Sequence, residues 1–197
     1  MDITYLLWLQ DFRNSINGVL DPFMEWVSLF GVRTILILPV FVYWCINKKK
    51  GLFIMFAWKL SQTFNALVKL TACIYRPWVR DARIIPAGDA IRTAGGYSFP
   101  SGHTMMVTPI YGGLALCTKN RGWRLFWLLA ILVTMFSRNY LGVHTPQDVV
   151  VGFVLGLLSV YIAQKVFAYL DEHPEKDILV MVISALAGIL TLVYVTY

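Results

Sequence analysis

Apolar residues in this chain gather in long blocks separated by short charged turns, instead of alternating with polar ones as on the half-buried elements of a soluble fold. The blocks cover residues 22–46, 51–75, 101–118, 122–141, 147–170 and 178–196. Each comes near the ~20 residues a helix needs to cross a ~30 Å hydrocarbon core, with 101–118 on the short side. The pattern predicts an all-α fold: a polytopic membrane helical bundle of about six transmembrane helices, forming a single domain over residues 1–197. Residues 1–17 are too short and too polar to span. They read as an amphipathic interfacial helix, with Ile3, Leu6, Leu7 and Phe12 to one side and Gly18 closing it. Asp21-Pro22 opens the next helix as N-cap and first-turn proline. Glu25, Arg33 and Gly31 leave two forms open for 22–46: one long helix with its charges turned to protein, or an interfacial helix leading into a span at 32–46.

Composition strengthens the membrane reading. Of 197 residues, 58% are hydrophobic and only 14% charged, where a soluble domain has about 25% charged. The net charge of +6 sits in clusters between apolar blocks, which argues for membrane topology and against a nucleic-acid partner. Threading the spans puts turns 47–50, 119–121 and 171–177 on one face, and their lysines mark it as cytoplasmic. Segments 76–100 and 142–146 and both termini then lie on the extracytoplasmic or lumenal face. No basic region precedes a hydrophobic stretch at the start, so the first residues are not read as a signal peptide. Cys45, Cys73 and Cys117 lie in apolar segments without metal-binding spacing and read as buried, inert thiols. The second block is unusual, because Lys59, Gln62, Asn65 and Lys69 recur every three or four residues and draw a polar stripe expected to face the bundle interior. Gly152 and Gly156 form a GxxxG that favours close helix packing.

Three polar patches then fall on the face opposite Lys48–Lys50: Lys69 with Arg76-Pro77, Pro100-Ser101-Gly102-His103, and Ser137-Arg138 followed by His144 and Asp148. Lys69 and Arg76, seven apart, are expected to share one helix face; with Arg138 they supply three cations suited to a phosphoryl group in transfer. Ser101-Gly102 begins a helix, where free N–H groups and the dipole favour an anion. Asp148, four residues after His144, can hold one ring nitrogen and aim the other at phosphorus, while His103 serves as general acid for the leaving group and then as base for water. Taken singly, these residues have plainer uses. Thr145-Pro146-Gln147-Asp148 is a capping box, Ser101 a cap, and Lys69, Arg76 and Arg138 interfacial anchors. Their coincidence on one face favours the chemical reading, whereas His173 falls on the other face and carries nothing.

The patches resemble the signature of the type 2 phosphatidic acid phosphatases (the PAP2 superfamily), written KxxxxxxRP, PSGH and SRxxxxxHxxxD, with all eleven specified positions present. They cover about residues 69–148. The resemblance implies that His144 is a nucleophile forming a phosphohistidine, that Asp148 supports it, and that His103 protonates the leaving group. It further implies that Lys69, Arg76, Ser101, Gly102 and Arg138 hold the phosphate, with neither metal nor cofactor, on the periplasmic, exterior or lumenal face. The chain departs from many bacterial members in carrying residues 1–17 where they have a further span, and in having a span at 178–196. The expected substrate is a lipid phosphate or diphosphate drawn from the bilayer, such as phosphatidate, phosphatidylglycerophosphate or an isoprenyl diphosphate. Arg80, Arg83 and Arg92 offer contacts for a second phosphate. Phosphotransfer to an alcohol, a sugar-phosphate substrate, and a non-catalytic lipid-binding or transport protein are the alternatives.

Overall fold

A computed structural model of the protein describes residues 2–33 and 36–196 and contains no strand among them. The helices are α1 (Asp2–Ser15), α2 (Asp21–Arg33), α3 (Ile37–Phe41, continued by a π-helical turn Val42–Ile46), α4 (Lys48–Ala72), the short α5 (Pro77–Arg80), α6 (Gly102–Cys117), α7 (Arg121–Tyr140), α8 (Pro146–Glu172) and α9 (Asp177–Thr196). Most boundaries lie within a few residues of the apolar blocks, because hydropathy and capping are local properties of the chain. Asn47, Ser101, Asn120 and Thr145 each cap the helix that follows them through a side-chain oxygen.

The block at 22–46 is two helices inclined at 49°, and residues 34 and 35 between them lie outside the described residues. Glu25 turns to protein and accepts from the Asp89 amide at 2.7 Å. Length and hydropathy together single out two helices among the described residues that can cross a membrane, within Pro146–Glu172 and Pro174–Thr196, or three if the bent pair is one span.

Helix α6 is the hub, packed against α4, α7 and α8. Twelve of its sixteen residues are buried, as expected for a helix that is apolar all round. Its Val107, Ile110, Tyr111 and Leu114 meet Phe53, Ile54 and Ala57 of α4, Ile131 of α7, and Val160 and Ala163 of α8. The GxxxG of α8 makes the approach possible: a Cβ on Gly156 would lie 2.7 Å from Thr108 Cβ, and one on Gly152 3.0 Å from the Ser101 carbonyl oxygen. Pro109 inside α6 has no N–H to give the Met105 carbonyl one turn back. Ser61 Oγ at 2.6 Å and Gln62 Nε2 at 3.2 Å supply that carbonyl from α4 instead. Part of the polar stripe therefore repairs a broken backbone bond. Lys59, by contrast, donates to the carbonyl and hydroxyl of Ser184 in α9. Helix α9 buries none of its residues and lies on the outside of α4.

Two expectations are corrected at the periphery. Leu6, Leu9 and Arg13 form the inward face of α1, while Phe12 and Trp8 point outward, because α1 docks on the 76–100 segment as well as on α7. Arg13 donates to the Ile85 carbonyl at 2.8 Å, and Gln10 pairs with both Arg83 and Ile85 backbone groups. Cys45 and Cys73 are exposed and Cys117 is half-buried; all three are free. Apolar sequence around a thiol does not require that protein cover it, because a membrane helix is apolar on its lipid-facing side as well.

Candidate active site

The three motifs come together at the end of the bundle formed by the start of α6, the end of α7 and the start of α8, beneath a roof made by residues 95–98. Residues 137–144 turn the chain from α7 into α8. The Arg138 carbonyl accepts from the Val143 and His144 amides at 3.2 and 3.3 Å, Gly142 takes φ +72°, and Asn139 Nδ2 donates to the His144 carbonyl at 2.9 Å. His144 is thereby held almost wholly buried, at 1% exposure.

Asp148 does both things the sequence offered as alternatives. Its Oδ2 accepts from the Thr145 amide at 2.8 Å, closing the capping box of α8, and lies 3.3 Å from His144 Nδ1. The same oxygen accepts from Ser98 Oγ at 2.6 Å. On the other side of the ring, Arg76 Nη1 lies 2.9 Å from His144 Nε2. A guanidinium only donates, so the hydrogen-bond network assigns the tautomer: Nδ1 carries the hydrogen and Nε2 the lone pair. Burial lowers the His144 pKa to about 3 despite the opposing pull of Asp148, which keeps the ring neutral at physiological pH.

Arg76 and Lys69 do not share a helix face. Helix α4 ends at Ala72, Cys73 adopts a left-handed cap at φ 49°, and Arg76 is the extended N-cap of α5. The roof brings the two side chains to one place. Lys69 Nζ donates to the Tyr97 carbonyl at 3.0 Å, and Arg76 donates to the Gly95 and Gly96 carbonyls at 2.8 and 3.0 Å. Arg76 also donates to the Val143 carbonyl, at 3.1 Å; burial draws its pKa down to about 10, with Asp148 opposing, so it stays a cation.

Arg138 is different. It is fully buried, its Nη1 donates to Ser28 Oγ of α2, and its Nε and Nη2 have no hydrogen-bond partner. His103 Nε2 is likewise buried without a partner, within electrostatic range of Arg138, His144, Arg76 and Lys69. Ser101 tethers α6 to α8 through its amide, 2.9 Å from the Asp148 carbonyl, and its Oγ accepts from Thr104 Oγ1 at 3.1 Å, so it is a cap that still has its own hydroxyl proton to donate. A Cβ on Gly102 would meet only the Asn65 amide, at an ordinary 3.6 Å. Packing does not demand a glycine there, and the bare backbone faces the same polar end of the bundle.

The eight residues singled out from sequence therefore converge. Three others that hold them were not singled out: Ser98 on Asp148, Asn139 on the His144 carbonyl, and Ser28 on Arg138. Ser98 and Asn139 each stand within two positions of a motif, which was the only local signal for them. The loop arginines proposed for a second phosphate are each paired with a carboxylate: Arg80 with Asp2 at 2.8 Å, Arg83 with Asp81 at 2.7 Å, and Arg92 with Asp89 at 3.1 Å. Among the described residues no three His, Cys, Asp or Glu side chains group to hold a metal ion.

Comparison with known proteins bears on this arrangement. Residues 50–172 match the family profile described as the PAP2 superfamily. The Bacitracin transport permease protein BcrC of Bacillus licheniformis is 30% identical over 74% of this chain and 69% of its own. The Undecaprenyl-diphosphatase BcrC of Bacillus subtilis is 28% identical over 89% of this chain and 88% of its own. In fold, the chain is similar to a crystal structure of a transmembrane PAP2 type phosphatidylglycerolphosphate phosphatase from Bacillus subtilis, with a TM-score of 0.67, 22% identity and 83% of each chain covered.

Proposed function

The chain belongs to the PAP2 superfamily and is an integral membrane hydrolase acting on phosphate esters, and from that premise we propose that it cleaves a lipid phosphate monoester or diphosphate through a phosphohistidine on His144, with no metal ion. The observation that carries the reading is the set of buried nitrogens without protein partners, Arg138 Nε and Nη2 and His103 Nε2, beside a His144 whose tautomer leaves its lone pair on Nε2. Leaving such buried polar groups unpaired costs about 1–3 kcal/mol each, more when charged, and an anion bound among them offsets that cost.

In the mechanism we propose, a phosphoryl oxygen takes the free donors of Arg138 and draws Arg76 Nη1 off His144 Nε2. Nε2 attacks phosphorus, the bond to the leaving oxygen breaks, and His103, which enters this step as an imidazolium that took its proton from solvent as the phosphate anion bound, gives that oxygen its proton. The imidazolium formed on His144 is stabilised by Asp148, itself held by Ser98 and Thr145. His103, now neutral, takes a proton from water as it attacks the phosphohistidine, releasing phosphate and restoring His144. Lys69, Ser101 and the Gly102 backbone complete the anion cradle. The bundle is read as six crossings with the site on the outer or lumenal face, where an acyl or prenyl tail can stay in the bilayer. The named activity of the undecaprenyl-diphosphatase relative supports an isoprenyl diphosphate among the candidates, although the ion-paired arginines of segment 76–100 give a second phosphate no evident partner.

The test is phosphate release by purified protein from phosphatidate, phosphatidylglycerophosphate and an isoprenyl diphosphate in the presence of EDTA. Turnover with EDTA, inhibition by vanadate and loss of turnover in His144→Ala are expected. Strict dependence on a divalent metal, or activity surviving His144→Ala, would overturn the mechanism. Transport of a lipid without any turnover would favour the non-catalytic alternative.

A further inference from the structure

At the end of α6 remote from His144, where the helix stops at Cys117, lies a wide-mouthed cavity of about 460 Å³, bounded by Lys50 and Phe53 of α4, Leu116 and Lys119 around the end of α6, and Gln164, Phe167 and Asp171 of α8. It is layered. Lys50 turns in and donates to the Cys117 carbonyl at 3.0 Å, which engages one of the three hydrogens of its ammonium. Lys119, in the turn between α6 and α7, also lines the cavity, as does Gln164 deeper along α8. The one carboxylate, Asp171, is taken by Lys49 at the rim. About one turn deeper than Lys50 on α4 and Asp171 on α8 the wall becomes aromatic: Phe53 and Phe167 line it and pack edge-on at 5.8 Å, and Phe56 packs on Phe167 at 5.9 Å. Two lysines that keep ammonium hydrogens to give, Lys119 all of its own and Lys50 those not used on Cys117, stand with aromatic rings between membrane helices and match a phosphate with acyl chains beneath it.

We infer that this cavity binds the phosphodiester headgroup of an anionic phospholipid from the leaflet opposite the His144 site. Basic pockets between transmembrane helices recognise such headgroups, and each lysine near an anionic surface contributes roughly fivefold in affinity. A soluble phosphate would satisfy the lysines but leave the phenylalanine floor against water, so the lipid is favoured over the free anion. The ligand bridges the first turn of α4 to the α6–α7 turn. Those two helices carry Lys69 on the one and Ser101 to His103 on the other, toward their far ends, ~24 Å away along α6. The lipid therefore stabilises the packing on which the site depends without touching it.

The experiment is native mass spectrometry of the delipidated full chain in detergent, titrated with short-chain phosphatidylglycerol, with phosphatidylcholine of the same tails, and with inorganic phosphate. One phosphatidylglycerol is expected to bind more tightly than phosphatidylcholine. K50Q/K119Q should weaken it about 30-fold and K119Q alone, at an exposed position, about fivefold, while K48Q outside the cavity leaves it unchanged. Equal binding of the two lipids, or retention in both K50Q/K119Q and K119Q, overturns the inference. Displacement of the lipid by millimolar inorganic phosphate would make this a soluble-anion site and overturn it too. Because no arm requires turnover, a failure here is separate from a failure of the phosphatase mechanism.

Discussion

At the scale of residues, the site is governed by which donors and acceptors are already engaged. His144 is buried and neutral, and its pKa of about 3 stands far below the ordinary 6.5. The unfolded imidazole takes up a proton as the pH falls through 6.5, whereas the folded one resists until about 3, so acid favours the unfolded chain. Stability is full above pH 6.5 and declines as the pH drops through that window. Thermal unfolding in detergent should accordingly show a Tm that falls between pH 7 and pH 5, with a shallower fall in His144→Asn; an equal slope in both proteins would contradict the burial argument. Arg138 supplies the donors that remain free, in a planar fork a lysine cannot reproduce. Arg138→Lys is expected to lower kcat/KM for a lipid phosphate about 100-fold while Tm changes little, as kinetics and calorimetry on the same preparation would read. Arg76, engaged with three carbonyls and His144, braces the roof in addition to the phosphate-binding role proposed for it.

At the scale of elements, the close approach of α8 to α6 sets the distance between Asp148 and Ser101. It depends on glycine where Thr108 faces Gly156. Gly156→Ala forces a methyl into a 2.7 Å gap, an overpacking expected to cost about 1–3 kcal/mol. Thr108→Ala makes room, so the double variant should recover most of the lost Tm; purely additive losses would show that the contact is not what limits this interface. The roof over the site has a comparable dependence on its neighbours. Gly88, at φ +46° with Glu25 Oε1 occupying the place of a side chain, lets segment 76–100 lie down on α2, and Gln10 and Arg13 hold it from α1. The amphipathic first helix thus supports the loop that carries Ser98, beyond any role at the membrane surface.

At the scale of the whole molecule, the proposed six crossings predict that Asp89 and Lys119 lie on opposite sides of the membrane. With Cys45, Cys73 and Cys117 replaced, an impermeant maleimide applied from outside intact cells should label Asp89→Cys and not Lys119→Cys; labelling of both from one side would overturn the topology. Helix α9 is held to α4 by Lys59 on Ser184 and by Thr71 against Tyr194 at 3.3 Å, and it buries nothing. It completes the outer surface of the bundle and does not contribute to its core.

The helices, their caps and the three motifs could be read from the chain, because hydropathy blocks, N-caps and an i,i+4 pair such as His144–Asp148 depend on residues a few positions apart. What the tertiary structure alone decided lies between distant residues. Ser98 reaches Asp148 across 50 positions and Ser28 reaches Arg138 across 110. The stripe on α4 acquires its purpose only once Pro109 of α6 lies beside it. The meeting of Lys69 with Arg76 was anticipated, but by continuing a helix that in fact stops at Cys73. No spacing rule encodes such contacts, since they arise from how helices of known length pack, and packing is set by shape complementarity summed over the whole bundle. The pattern of apolar blocks and charged turns thus determined a helical membrane protein, and the three motifs named the polar groups that meet at one of its ends. Which donors that end leaves free, and hence what it can bind, followed only from the folded arrangement.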